Sequence, residues 1–254
     1  GCYHGWHDYV LMNVRNPPDT IGHMALYSGG MLPAAVEHTT VVEYNDLEGL
    51  ETALRTQQYA ALLIEPIAHN LGCVMMTDEF AQGMRRLCDE TGTILICDEV
   101  INGLRHGLGG YQEKIGLVPD LTTMGKAMSN GYPCAALGGK AELMRHFLAA
   151  GGTVYFSVTL NAHPVGTVAA VATIAELEKP GVYDHLFALG EQARVGLREI
   201  AERRGVPMVV AGYGSIFVPY FMDPELGPPQ NYTDLMRCDE EADAAFREAM
   251  IERG

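Results

Sequence analysis

Lys126 closes the run Pro119-Asp120-Leu121-Thr122-Thr123-Met124-Gly125-Lys126, and upstream of it Asp98 closes the apolar run Ile94-Leu95-Ile96-Cys97-Asp98. The chain has four lysines, Lys114, Lys126, Lys140 and Lys179. Lys126 stands among Met124, Gly125, Ala127 and Met128, whereas Lys114 and Lys179 lie in polar context and Lys140 reads as an exposed helix start. A lysine amine kept partly out of water loses its proton more readily, so it can form an imine with an aldehyde and later carry a proton. A carboxylate at a strand end can partner a protonated pyridine nitrogen and keep that ring an acceptor for carbanion electrons. Together these residue types suit a pyridoxal phosphate cofactor held as a Schiff base. Glu99 competes for the carboxylate role, and an aspartate after a strand can equally be a helix cap or turn residue.

Other clusters bear on the same site. Tyr3-His4-Gly5-Trp6-His7-Asp8 offers aromatic rings able to stack on a flat cofactor. A metal reading with His4, His7 and Asp8 as ligands is disfavoured, because no second cluster and no H-E-x-x-H pattern accompanies them. A structural turn is the plain alternative for this segment. The glycines at 107–110, 138–139 and 151–152 form neither a dinucleotide fingerprint nor a P-loop, which argues against a Rossmann dehydrogenase or a P-loop NTPase.

The elements that must position these residues follow from periodicity. Ala60–Glu65 carries a continuous apolar run and predicts a fully buried strand, Thr93–Asp98 carries another such run and predicts a second strand, and Leu121–Met124 and Cys134–Leu137 read as further short ones. Thr77 predicts the cap of a helix over Asp78–Thr91, with Phe80, Met84, Leu87 and Cys88 on its apolar face and Gly92 as its stop. Asp46 predicts the cap of a helix reaching Gln57, and Thr39–Tyr44 reads as a strand. Strand, helix and strand in succession favour a mostly parallel α/β sheet, with ligands bound beyond the carboxyl ends of its strands. Helices are expected over Pro164–Glu178 and Tyr183–Arg204, then strands over Pro207–Ala211 and Ser215–Phe221. The change of character near 180 divides a large domain (1–180) from the start of a smaller α+β domain (181–254).

The net charge of −15 argues against nucleic acid or an anionic membrane as partner. The six cysteines form no C-x-x-C pair, and several sit in apolar context, which predicts reduced thiols and a cytoplasmic protein. No apolar stretch is long enough to span a bilayer. Gly1 lies directly inside the aromatic motif and Ile251-Glu252-Arg253-Gly254 ends a charged helical pattern without a stop, so both edges predict a fragment of a longer chain.

In order and spacing, Tyr3-His4-Gly5, Glu65-Pro66-Ile67 with Asn70, Asp98-Glu99-Val100, Gly103-Leu104-Arg105, Pro119 to Lys126, and Thr159 to Pro164 resemble the class III pyridoxal-phosphate aminotransferases of fold type I. The resemblance covers nearly the whole chain and runs toward the glutamate-1-semialdehyde 2,1-aminomutase subgroup. It implies a transaminase or aminomutase acting on an amino acid or an amino-aldehyde or keto substrate. It implies Lys126 as the Schiff-base lysine and Asp98 as partner of the pyridinium nitrogen. Val100 would pack on one face of the ring and Tyr3 on the other, with His4 supporting Tyr3 or the substrate pocket. Asn70 would lie near the ring's phenolic oxygen, and Glu65 would steady the strand ends. It further implies a homodimer in which Thr159 reaches the phosphate of the neighbouring subunit's cofactor. The family's phosphate loop precedes Tyr-His-Gly, so the resemblance puts it outside this chain. The competing expectation is an incomplete, non-catalytic fragment that binds cofactor weakly. Val158, Ala162 and His163 depart from the aminomutase pattern, and Leu104 stands where the family usually has Phe.

Overall fold

A computed structural model describes residues 1–15, 17–20 and 23–254. In chain order its strands are β1 (Ala61–Ile64), β2 (Ile67–Ala68), β3 (Val74–Met75), β4 (Ile94–Asp98), β5 (Leu121–Met124), β6 (Ala136–Gly139), β7 (Val209–Tyr213) and β8 (Ile216–Tyr220). Its α-helices are α1 (Pro33–Val36), α2 (Leu47–Leu54), α3 (Asp78–Thr91), α4 (Gly110–Lys114), α5 (Ala141–Met144), α6 (Pro164–Leu177), α7 (Val182–Arg204), α8 (Tyr232–Leu235) and α9 (Glu240–Glu252). The chain divides into two compact units, one of Asp46–Ile67 and Thr77–His185, the other of Gly1–Asn45, Ala68–Met76 and Leu186–Gly254.

The first of these is built on a four-stranded sheet in the order β1-β4-β5-β6. β1, β4 and β5 are parallel, and β6 adds an antiparallel edge. This is the mostly parallel α/β architecture that the unbroken apolar strands predict. Helix α3 begins where Thr77 Oγ1 accepts the Phe80 N–H at 3.2 Å and stops at Gly92, which takes the left-handed φ of 73° that such a cap needs. Between those signals Phe80, Met84, Leu87 and Cys88 are all buried. Each such apolar side chain contributes roughly 1.5–3 kcal/mol by leaving water, and together they fix α3 as the helix that enters β4. Helix α2 starts at Asp46, whose carboxylate accepts the Gly49 N–H at 2.9 Å.

In the other unit, β7 and β8 form an antiparallel hairpin, and Leu11, Met12, Val14, Met31 and Val36 make a small apolar cluster on which Tyr3 packs. The expected strand at Thr39–Tyr44 does not form. Its β-branched residues suit a pleat, but a strand exists only where a neighbouring backbone offers a ladder. Here the segment is held by side chains instead, with Thr39 Oγ1 donating to Tyr9 O and Thr233 Oγ1 to Glu43 Oε1. The predicted strand at 134–137 lies two residues later, at Ala136–Gly139. Among the described residues no helix is long and apolar enough to cross a membrane.

Candidate active site

The parallel register of β4 and β5 sets Asp98 directly beside Thr123 at the carboxyl end of the sheet. Asp98 is buried, and its Oδ1 accepts the Val100 N–H at 3.0 Å and the Thr123 hydroxyl at 3.1 Å. Two donors on one oxygen orient the carboxylate. The Glu99 N–H donates to Thr123 O at 2.9 Å, which continues the ladder one residue further.

The start of α4 places the two adjacent carboxylates in different surroundings. Glu99 is wholly buried, and its oxygens accept the N–H groups of Tyr111 at 3.1 Å and Gln112 at 2.6 Å. Gly110 makes this approach possible: at its φ of 77°, a Cβ would lie 2.6 Å from the Glu99 carboxyl carbon. Burial is the largest influence on Glu99 and raises its pKa to about 7, with Asp98 adding to the rise and the two backbone donors opposing it. Glu99 is thus committed to holding α4, and Asp98 is the carboxylate at the strand end.

Two residues past β5, Lys126 begins a 3-10 turn, Lys126–Ser129, and takes a left-handed φ of 46°. That conformation costs a side-chain-bearing residue about 1–2 kcal/mol and is found where the surrounding structure imposes it, often at functional sites. The residue is exposed, while its neighbours Gly125 and Ser129 are buried. Desolvation pulls the Lys126 amine below its ordinary range; Glu65 and Asp98 oppose that shift, and Arg105 adds to it. Val100 packs close by, its Cγ1 being 3.5 Å from where a Cβ on Gly125 would stand. Glu65 is almost completely buried at the end of β1.

The remaining lysines are differently placed. Lys140 pairs with Asp120 at 2.6 Å, Lys179 pairs with Glu176, and Lys114 is exposed in the last turn of α4.

Lys126, Asp98, Val100 and Glu65 thus belong to one unit, together with Thr159, which is exposed on the segment before α6. Tyr3, His4 and Asn70 belong to the other. There Tyr3 and His4 are partly buried, and His7 stacks on Tyr9 with ring centres 5.0 Å apart. No group of three or more metal-ligating side chains gathers among the described residues. The Asn70 side-chain nitrogen is buried without a hydrogen-bond partner among the described residues. A buried donor left unsatisfied is costly, so it marks a place where a ligand acceptor fits.

Sequence reasoning gave no part to Thr123 as donor to Asp98, or to Arg105, whose guanidinium is anchored on Ile101 O at 2.6 Å and whose charge acts on Lys126. The polar Thr122-Thr123 pair inside a buried strand was the available signal for the first. The second had no signal beyond its family motif.

A family model, aminotransferase class-III, matches residues 1–231. The chain is 38% identical over 256 aligned residues to a glutamate-1-semialdehyde 2,1-aminomutase of Nitrosospira multiformis, covering 100% of this chain and 59% of that protein. Among solved structures it is similar to an omega-transaminase from Sphaerobacter thermophilus, with TM-score 0.83 and 35% identity over 92% of this chain and 54% of the other. It is also similar to a transaminase solved with PLP bound, with TM-score 0.78 and 32% identity over 87% of this chain and 52% of the other. The chain therefore spans little more than half the length of these relatives. The helix-covered, mostly parallel sheet is that of the fold type I transferases, and the chain belongs to the class III aminotransferase family.

Proposed function

We propose that this chain carries the lysine and aspartate of a pyridoxal-phosphate enzyme that moves amino groups, as a transaminase or an aminomutase. The observation that carries the reading is the strand-end geometry: an oriented, buried Asp98 and, on the neighbouring strand's exit, a lysine whose amine is held below its ordinary pKa. When bound, the cofactor supplies an electron sink for a carbanion at the substrate's α-carbon. Lys126 would hold the cofactor through its amine and, once released from it, would take and return a proton at the substrate's α-carbon, for which a lowered pKa suits it. Asp98, steadied by Val100 N and Thr123 Oγ1, would hold the proton on the pyridine nitrogen. Val100 would pack on one ring face. Tyr3, with His4 behind it, would serve the other, and the orphaned Asn70 amide would donate to the phenolic oxygen. The division into a cofactor-binding domain (1–180) and a smaller one (181–254) belongs to the same proposal.

The homodimer is part of this reading. Val154, Tyr155, Phe156, Val158, Leu160, Val165, Val168 and Val171 are all exposed, on and just before α6 and around Thr159. An apolar row of this extent is what a self-association surface presents. The proposed compartment is the cytoplasm, supported by six cysteines present as thiols.

The test uses the protein of full natural length that contains this chain. It is loaded with pyridoxal phosphate and offered amino donors with and without keto acceptors. Dependence of product on a second keto substrate identifies a transaminase, and isomerisation of a single amino-aldehyde identifies an aminomutase. Absence of both activities across a broad panel, with cofactor bound, contradicts the proposal.

A further inference from the structure

The turn that carries Asn70 is held on several sides, although the Asn70 amide donates to nothing among the described residues. The Gly72 N–H donates to the carbonyls of Ala68 and His69 at 3.2 and 3.1 Å. His69 Nδ1 lies 3.2 Å from Cys73 Sγ. Arg15 Nη2 donates to Asn70 O at 3.1 Å. From β8, the Tyr220 hydroxyl donates to Gly72 O.

The last contact is the most distant in sequence and the most specific. Tyr220 is buried, and Gly72 has a φ of 131°, a conformation only glycine adopts without strain. A Cβ there would lie 3.0 Å from Tyr220 Cζ, so any side chain at position 72 would push the ring away. Burial raises the Tyr220 pKa well above the ordinary range, which keeps the hydroxyl a neutral donor. A turn fixed this firmly around an unsatisfied amide is a preorganised donor.

We propose that Tyr220 is a positioning residue for Asn70: acting through the Gly72 carbonyl, it fixes the turn so that the Asn70 amide meets a ligand oxygen. The inference rests on the reading that this oxygen is the phenolic oxygen of the cofactor. A donor shared with that oxygen weakens its hold on the lysine nitrogen's proton. Losing the donor therefore moves the pH midpoint of the visible absorbance of lysine-bound cofactor upward.

The experiment measures that midpoint in the full-length holoenzyme for the wild type, Asn70→Ala, Tyr220→Phe and the double variant. Tyr220→Phe removes one atom and leaves the ring packing, and a melting curve verifies that each variant is folded. Asn70→Ala is expected to raise the midpoint by about one unit. Tyr220→Phe should raise it by a smaller amount, and that increment should vanish in the Asn70→Ala background. If Asn70→Ala shifts the midpoint and Tyr220→Phe does not, or if the Tyr220→Phe shift persists without Asn70, the positioning role is overturned while the reading of Asn70 stands. If Asn70→Ala leaves the midpoint in place, the reading of Asn70 fails, and the proposal falls with it.

Discussion

The two ends of β5 carry charged groups in opposite circumstances. At its start, Asp120 is saturated. Its Oδ2 accepts Leu95 N at 2.7 Å and Arg85 Nη1 at 3.0 Å, and Lys140 Nζ lies 2.6 Å from Oδ1. Burial alone would raise its pKa, but Lys140, Leu95 N and Arg85 outweigh it and hold the carboxyl below the usual range. At the other end, Lys126 sits in a left-handed backbone conformation with its amine shifted the unfavourable way by desolvation. One end of the strand spends its charges on joining α3, β4 and β6. The other carries, in a left-handed backbone conformation, an amine whose pKa desolvation lowers and which lies within electrostatic reach of the oriented Asp98 carboxylate, the circumstances expected of a catalytic group.

Substitutions at the two ends should therefore fail differently. Asp98→Asn should lower kcat/KM on the order of a thousand-fold, because a neutral amide does not hold a proton on the pyridine nitrogen. Its melting temperature should change little, since an amide oxygen can still accept from Val100 and Thr123. Asp120→Ala should do the reverse, destabilising the fold by about 3 kcal/mol through stranded partners while sparing the activity of each folded molecule. Denaturant titration alongside steady-state kinetics separates the two outcomes. If Asp120→Ala lost activity without losing stability, the contrast would be wrong.

Between these extremes lies Glu99. Its folded pKa, about 7, exceeds its ordinary value of 4.5, so in that interval the native state holds more protons than the unfolded one. Stability contributed by the protonated form is present in acid and is lost as pH rises from 4.5 through about 7. Glu99→Gln should flatten that slope, removing on the order of 3 kcal/mol of pH-dependent stability across the interval. An unchanged dependence of melting temperature on pH would remove Glu99 from this role. The smallest expected effect is at Lys126 itself. In cofactor-free protein, Lys126→Gly should stabilise the fold by about 1 kcal/mol by relieving the left-handed strain, and a loss of stability would show that no strain is stored there.

Much of this is legible in the amino-acid sequence. Thr77 and Gly92 bracket α3, the unbroken apolar run to Asp98 marks β4, and the composition around Lys126 sets it apart from the other lysines. These signals are local, so a linear reading suffices. The rest depends on residues distant in sequence. Asp98 is distinguished from Glu99 by where α4 begins, Thr123 acquires its role only through strand register, and the Asn70 amide is orphaned by a turn that Tyr220 holds from 148 positions away. Thr39–Tyr44 has the composition of a strand, but the ladder that would make it one is a property of its neighbours.

The central claim is one covalent bond. The full-length protein, loaded with pyridoxal phosphate, is reduced with borohydride, digested, and its cofactor-bearing peptide sequenced by mass spectrometry. The account predicts the cofactor's mass on the peptide containing Lys126, and its loss from the protein in Lys126→Ala. Attachment at Lys114, Lys140 or Lys179, or at no lysine of this chain, would contradict it.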